Sequence, residues 1–371
     1  MTERPRDVRE VGAPLLIVAD RWHAAGGGRE RYLAQLHALL LGHGHAVTVL
    51  ERRSLGPRRL HQRVDAFRRA SPESPVLTAS PIEGATHYQL HSGVYAASYE
   101  AERAAYDSAL RRLLFRPALR INLRRQRWLR AEARLFAADS TTHVMGFSAH
   151  SRTDVQRHFG SAAARIRVER PGIDLSCFPA RVPGDAPTDA TRDSIRVMFV
   201  GHNWVLKGLR WALEAVAVAR ARGLDVEMVV AGRGPGAFAT LATRLGLSTH
   251  VRFIGDVTQD VLAAEYRRSD LLLHPTFYDP FPRVIVEALA SGAPVLTTRA
   301  CGAAELIVPG QNGFVIDDPR DVPAIAEVIT ELADAKRRVA LSAAATVTGR
   351  QLDFDQHATV VSQWLGLTPV L

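Results

Sequence analysis

A chain of 371 residues, 47% hydrophobic and 23% charged, is long enough for two globular cores, and it holds no apolar run near the roughly 18 residues a membrane helix needs. Its two cysteines, Cys177 and Cys301, exclude a disulfide framework, and the charged and polar start lacks a secretory apolar stretch, so a cytoplasmic protein is expected. The formal charge of +9 sits in the front half: residues 1–180 hold 28 arginines against 17 acidic residues, a net +11, and the remainder nets −2. That asymmetry points to an anionic partner facing the front half.

In chain order, residues 14–20 read as a buried strand, Gly26, Gly27 and Gly28 as a turn, and the leucine pattern from Glu30 as a helix. A second strand falls at 46–50. Further strands are expected at 87–91, 143–147 and 166–169. Strand, glycine turn, helix, strand is the order of a parallel sheet with right-handed crossovers. Residues 179–193, rich in Pro, Asp, Thr and Gly, read as a linker. A second alternating series follows, with strands at 195–201, 226–232, 251–255, 270–274 and 294–298 and a helix over 207–222. The expected fold is α/β, two Rossmann-like domains facing a central cleft. The expected parts are an acceptor-binding domain over 1–178, a linker over 179–193, a donor-binding domain over 194–350 and a helix over 351–371 that crosses back. Open α/β sheets bind ligands beyond the carboxyl ends of their strands, and two facing sheets put both sets of ends on one cleft.

The stretch 274–312, HPTFYDPFPRVIVEALASGAPVLTTRACGAAELIVPGQN, resembles the donor-site motif of group 1 (family 4) retaining glycosyltransferases of the GT-B fold. Their signature, an acidic residue, seven others, then Glu, runs here from Asp279 to Glu287. GGGRER, GHGHAVTVL, RPGID, VGHNWVLKG and AGRGP fall in the family's order. YQLHSGVYAASYEAER and the arginine-rich segment after it are similar to the lipopolysaccharide-core glucosyltransferase branch.

The resemblance implies roles residue by residue. Glu287 would accept two hydrogen bonds from a ribose diol. Asp279 would hold hydroxyls of the donor sugar. Lys207 would neutralise the leaving diphosphate, a fixed cation for developing negative charge. The backbone N–H groups of Arg283 and Val284, opening a helix, would bind phosphate. Uracil would rest near Arg233 and the turn from Gly255 to Val257. Gly27 and Gly28 match the family's paired glycines, which let a backbone approach phosphate or sugar. The dinucleotide fingerprint is not met, for want of a third glycine at the required spacing. His91 would face the transferred sugar. Three positions depart from the pattern: Asp279 stands where Glu is common, Pro282 where Gly is common and lacks an N–H, and His202 where a second cation is usual.

Residues 103–136 carry ten arginines against Asp107 and Glu132, interleaved with leucines, Phe115, Ile121 and Trp128. A basic amphipathic helix of this kind lies on an anionic membrane face and suits a lipid-linked acceptor. No nucleic-acid module supports a nucleic-acid partner. Asp353 and Asp355 resemble a metal-binding aspartate pair but lie in a terminal helix with no strand before them. His87 and His91 would be metal ligands on a helix, yet their surroundings read as strand. No metal and no cofactor are therefore expected. The reading is a retaining hexosyltransferase that moves a hexose from UDP-glucose or a similar UDP-hexose to a glycan or glycolipid acceptor, in lipopolysaccharide or polysaccharide synthesis, at the inner membrane face. A catalytically silent nucleotide- or membrane-binding scaffold and a nucleotide-sugar epimerase are the alternatives.

Overall fold

Apolar strands alternating with amphipathic helices have one good packing solution, parallel sheets covered on both faces. The computed structural model describes residues 12–22, 27–181, 194–234 and 236–367. The front sheet contains β1 (Gly12–Ala19), β2 (His45–Glu51), β3 (Val76–Thr78), β4 (His87–Gln89), β5 (His143–Gly146) and β6 (Ile166–Val168), in the order β2-β1-β3-β4-β5-β6. The rear sheet contains β7 (Ile195–Val200), β8 (Val226–Ala231), β9 (Val251–Gly255), β10 (Leu271–His274), β11 (Val295–Thr298) and β12 (Gly313–Ile316), in the order β12-β11-β10-β7-β8-β9. The pairings are parallel throughout both sheets. The strand order reverses between β1 and β3 in front and between β7 and β10 behind. Those two switch points face each other across the cleft, where α/β sheets take their ligands.

Strands β3 and β12 and helix α2 (Arg52–Ala70) are additions to the sequence reading. β3 and β12 are three and four residues long. Helix α7 (Leu209–Ala221) starts two residues later than the pattern suggests. Gly208 adopts φ +78, and a Cβ there would lie 2.0 Å from the Pro275 carbonyl oxygen, so the chain turns at 208 and leaves Lys207 on the loop. Most of the expected linker, 182–193, and Gly26 lie outside the described residues.

The first sheet is covered by α1 (Gly28–Gly42), whose Tyr32, Leu33, Leu36 and Leu40 are buried. These pack with Leu15 and Ile17 of β1 in an apolar cluster that continues to Ile285 and Leu289 of α10 (Arg283–Ala290). Each such full burial stabilises by about 1.5–3 kcal/mol. One core therefore runs through both domains and holds the cleft shut at its base. The last helix, α13 (Phe354–Trp364), packs on α1, and Ile173 pairs with Asp353 as an isolated parallel bridge. Asp353 caps α13 by accepting from the amides of Asp355 and Gln356, which accounts for this aspartate pair without a metal. No helix among the described residues is long and apolar enough to cross a membrane.

The arginine-rich segment folds as two helices, α4 (Ala109–Ile121) and α5 (Leu123–Leu135), with Ser108 and Asn122 as side-chain caps. Helix α4 buries no residue. Leu113 is 72% exposed and Ile121 80% exposed, with Leu110, Leu114 and Leu123 also in solvent. Helix α5 is anchored beneath by Trp128, Glu132 and Leu135.

Candidate active site

A cleft of about 740 Å³ lies between the carboxyl ends of the two sheets. Its rear wall is built by the loop between β10 and α10. Leaving β10, His274 is buried, and five residues later Asp279 is held by a short parallel bridge to Cys301. The Asp279 carboxylate accepts from Lys207 Nζ at 2.5 Å, and His274 Nε2 lies 3.3 Å from the same oxygen. Lys207 also donates to the Tyr278 carbonyl at 3.2 Å. Burial pushes the Asp279 carboxyl up, but the Lys207 charge and the contact with His274 outweigh it and hold the group below the usual carboxylate range. Burial keeps His274 neutral by pulling its pKa down. The result is a fixed ammonium group at the cleft wall, aimed by a carboxylate that stays charged.

Pro282 is the N-cap of α10, so the residue without an N–H falls where the helix needs none, and Arg283 and Val284 open the first turn on the cleft. Arg283 is nine-tenths buried and donates through Nη2 to Gln35 Oε1 of α1 at 3.0 Å. Gly28 faces it, with Arg283 Cδ 3.6 Å from where a Cβ would stand, an ordinary contact. Gly27, Gly28, His91, His202, Lys207, Arg233, Gly255, Val257, Asp279, Arg283 and Val284 all line the cleft. Arg233 and His202 stand at its exposed rim around Asp256, 3.3 and 3.8 Å from its carboxylate.

Glu287 is the exception. It does not line the cleft but lies behind it, with no solvent exposure. Tyr266 of α9 (Gln259–Arg268) donates to its Oε2 at 3.2 Å, and Arg31 of α1 approaches its Oε1 at 3.6 Å. The cause is one helical turn: four residues beyond Arg283, the side chain points into the seam that closure of the two domains has sealed. That seam is not satisfied. Glu287 Oε1, Arg283 Nε and Nη1, and Arg31 Nε are buried without a hydrogen-bond partner. Buried charged groups are rarely left so, and here two guanidiniums and a carboxylate share the seam behind Gly28.

Several residues in or beside the cleft gave no sequence signal. Asp20, just after β1, binds Arg29 at 3.0 Å and Arg52 at 2.5 Å, and those guanidiniums overcome burial to hold its carboxyl below the usual range. Arg31 and Gln35 reach across from α1 at a spacing visible as a helical face. Asn203 lines the cleft and is the one non-glycine residue with positive φ among the described residues, at 47°. Tyr278 donates to Asp154 of α6 (Ala149–Phe159) at 2.9 Å and accepts from the Val94 amide at 3.1 Å, tying the rear loop to the front domain.

Two facing parallel α/β sheets with a polar interdomain cleft at both switch points define a GT-B architecture. Comparison with known proteins agrees: residues 194–335 match the family described as glycosyl transferases group 1. The crystal structure of WaaG, a glycosyltransferase involved in lipopolysaccharide biosynthesis, shares the fold with a TM-score of 0.77 at 20% identity, over 95% of this chain and 99% of that one. Anabaena HepE in complex with UDP-glucose gives 0.69 at 20% identity over 95% and 99%. D-inositol 3-phosphate glycosyltransferase 2 of Catenulispora acidiphila is 30% identical over 222 residues, 54% of this chain and 50% of that protein. The chain spans about half the length of the curated relatives it matches.

Proposed function

We propose that this protein is a retaining hexosyltransferase that takes glucose or a similar hexose from a UDP-sugar and passes it to a glycan or glycolipid acceptor. The observation that carries the reading is the Lys207–Asp279–His274 cluster at the mouth of α10, an immobilised cation beside a helix start. Departure of a nucleoside diphosphate leaves negative charge on the bridging oxygen. Lys207, Arg283 and the first-turn amides of α10 stabilise it, with no metal ion required. The acceptor hydroxyl enters from the front wall and attacks the anomeric carbon on the face the diphosphate leaves. Its proton passes to the departing phosphate oxygen, so configuration is retained. Asp279 and His91 hold the sugar, Arg233, Gly255 and Val257 the base, and Glu287 the ribose once the Arg31 contact opens. HepE's complex with UDP-glucose favours that donor, and the role of WaaG in lipopolysaccharide biosynthesis favours an acceptor of that kind.

The hairpin of α4 and α5 supports peripheral binding at the cytoplasmic membrane face. Its leucines project into solvent among arginines, the arrangement that inserts apolar side chains below anionic headgroups. The test is incubation with radiolabelled UDP-glucose and lipopolysaccharide-core or lipid-linked acceptors, scoring labelled product and UDP. Transfer with retained anomeric configuration supports the reading. Tight UDP-sugar binding without UDP release would instead mark a silent scaffold, and conversion of the sugar without an acceptor an epimerase.

A further inference from the structure

His91 ends a chain of buried hydrogen bonds that crosses the front domain. Its Nε2 lies 3.3 Å from Gln89 Oε1, Gln89 Nε2 donates to the Tyr32 hydroxyl at 2.8 Å, and that hydroxyl lies 2.9 Å from His357 Nε2. Gln89 is fully buried, Tyr32 1% exposed and His357 3% exposed. The members come from three places, the β4 strand, α1 and the terminal helix α13. At one end the chain meets the cleft, which His91 lines.

Such a chain has two polarities, because an amide offers a donor on one side and an acceptor on the other. With the carbonyl toward His91, the imidazole must carry its proton on Nε2. The Tyr32 oxygen then accepts from Gln89, and its own proton goes to His357 Nε2. Reversing the amide reverses every proton in the chain. One contact and one nearby charge choose the first polarity. The Met145 sulfur, an acceptor, sits 3.7 Å from Gln89 Nε2. The far ring nitrogen of His357, Nδ1, makes no hydrogen bond, and the Glu169 carboxylate lies 4.0 Å from it. A proton on Nδ1 is the one that a nearby carboxylate favours, and it leaves Nε2 free to accept from Tyr32.

We propose that Gln89, Tyr32 and His357 are positioning residues that lock His91 as the neutral Nε2–H tautomer, so that its Nδ1 accepts a hydrogen bond from a hydroxyl of the sugar bound in the cleft. Burial pulls the pKa of His91 well down and that of His357 to about 4, and it raises that of Tyr32, so the chain is uncharged near neutrality. Tyr32 also packs edge-on against His91, with centroids 4.6 Å apart, and Phe147 closes the other side at 4.6 Å, fixing the ring plane. The inference rests on the transferase reading for the identity of the sugar, but the tautomer can be read without any turnover.

The experiment is two-bond ¹⁵N–¹H correlation on the full chain labelled at histidine nitrogen, with the H91Q spectrum assigning His91 among the 14 histidines. His91 is expected as a single Nε2–H tautomer. His357→Leu, which keeps bulk but offers no acceptor, is expected to mix the two tautomers and lower kcat about 10-fold with donor KM within about twofold. His357→Gln, which restores an acceptor, is expected to recover both signals. His91 found as Nδ1–H or as imidazolium in the wild type overturns the proposal, and that measurement stands even if His357→Leu does not fold. An unmoved tautomer in folded His357→Leu overturns it too. Absence of turnover in the wild type with the Nε2–H tautomer intact would count against the transferase reading instead.

Discussion

The two walls of the cleft are built on different plans. The rear wall is nearly a single stretch, residues 274 to 284, supplying His274, Asp279 and Arg283 with Glu287 sealed behind them, and Lys207 is brought to Asp279 from another loop. The front wall is assembled from distant pieces: Arg29 and Arg31 from the first turn of α1, backed by Asp20 and Gln35, and His91 from just past the fourth strand. A wall made by one loop holds its charges rigidly and suits the diphosphate, whose charge must be met at a fixed point. A wall made of long side chains from a helix, a loop and a strand end adapts, which suits an acceptor that varies. If that division is right, changes on the rear wall should act on chemistry and donor affinity, and changes in front on acceptor use, membrane contact and stability.

The largest effect is expected at the rear. Lys207→Ala removes the fixed cation and should lower kcat for UDP-glucose by about 10²–10³ in steady-state assays. A loss confined to KM would show that Lys207 serves the ground state and not departure of the diphosphate. Next comes the seam. Glu287→Ala should weaken UDP-glucose binding about 10- to 100-fold by calorimetry, whereas Arg31→Ala, which removes only the group covering Glu287, should weaken it far less. Equal losses would make the pair a structural strut between the domains.

In front, Leu113→Asp combined with Ile121→Asp should reduce binding to vesicles containing anionic lipid by about tenfold in flotation, with turnover of a soluble acceptor unchanged. Unchanged flotation would assign the exposed leucines of α4 to some other partner.

The smallest expected effect is on stability. Glu132 of α5 is buried, and both its oxygens lie 3.0 Å from the Tyr95 amide opening α3 (Tyr95–Ala105). Burial, partly offset by the Tyr95 and Ala96 amides, pushes its carboxyl up to about 8. A raised folded-state value favours the protonated form. Its stabilisation is complete below the unfolded carboxyl range and is lost as pH rises through about 8. Glu132→Gln should therefore melt about 2–4 °C higher than the wild type at pH 9, with the gap narrowing toward pH 5. A gap that does not change with pH would show that Glu132 is neutralised by some other means.

The same contrast explains what could be read from the sequence. Asp279, Arg283 and Glu287 were legible because one loop and one helical turn place them, so their spacing in the chain is nearly their spacing in space. Lys207 was legible from the strand before it and Gly208 after it. Asp20, Arg31 and Gln35 were not, because each is meaningful only through a partner on another element: Arg52, Glu287 and Arg283. The sequestration of Glu287 is equally a tertiary fact, created when α1 closes on α10. The fold followed from alternating apolar runs and glycine turns, while β3, β12, α2 and α6 escaped, α2 for its mixed polar surface with Gly56 and Pro57 inside. The hairpin's basic and apolar pattern was visible, but its exposure was not, since the same pattern also suits a helix lying on a core.

The central claim is that the cleft at the start of α10 holds a nucleotide diphosphate sugar. Thermal shift against a panel of UDP-, ADP- and GDP-sugars, run in parallel on the wild type and Lys207→Ala, tests it most directly, since a ligand bound only by the folded state raises the melting point. The account predicts a saturable rise with a UDP-hexose that is sharply reduced in Lys207→Ala. No rise with any nucleotide sugar, or an identical rise in both proteins, would contradict it.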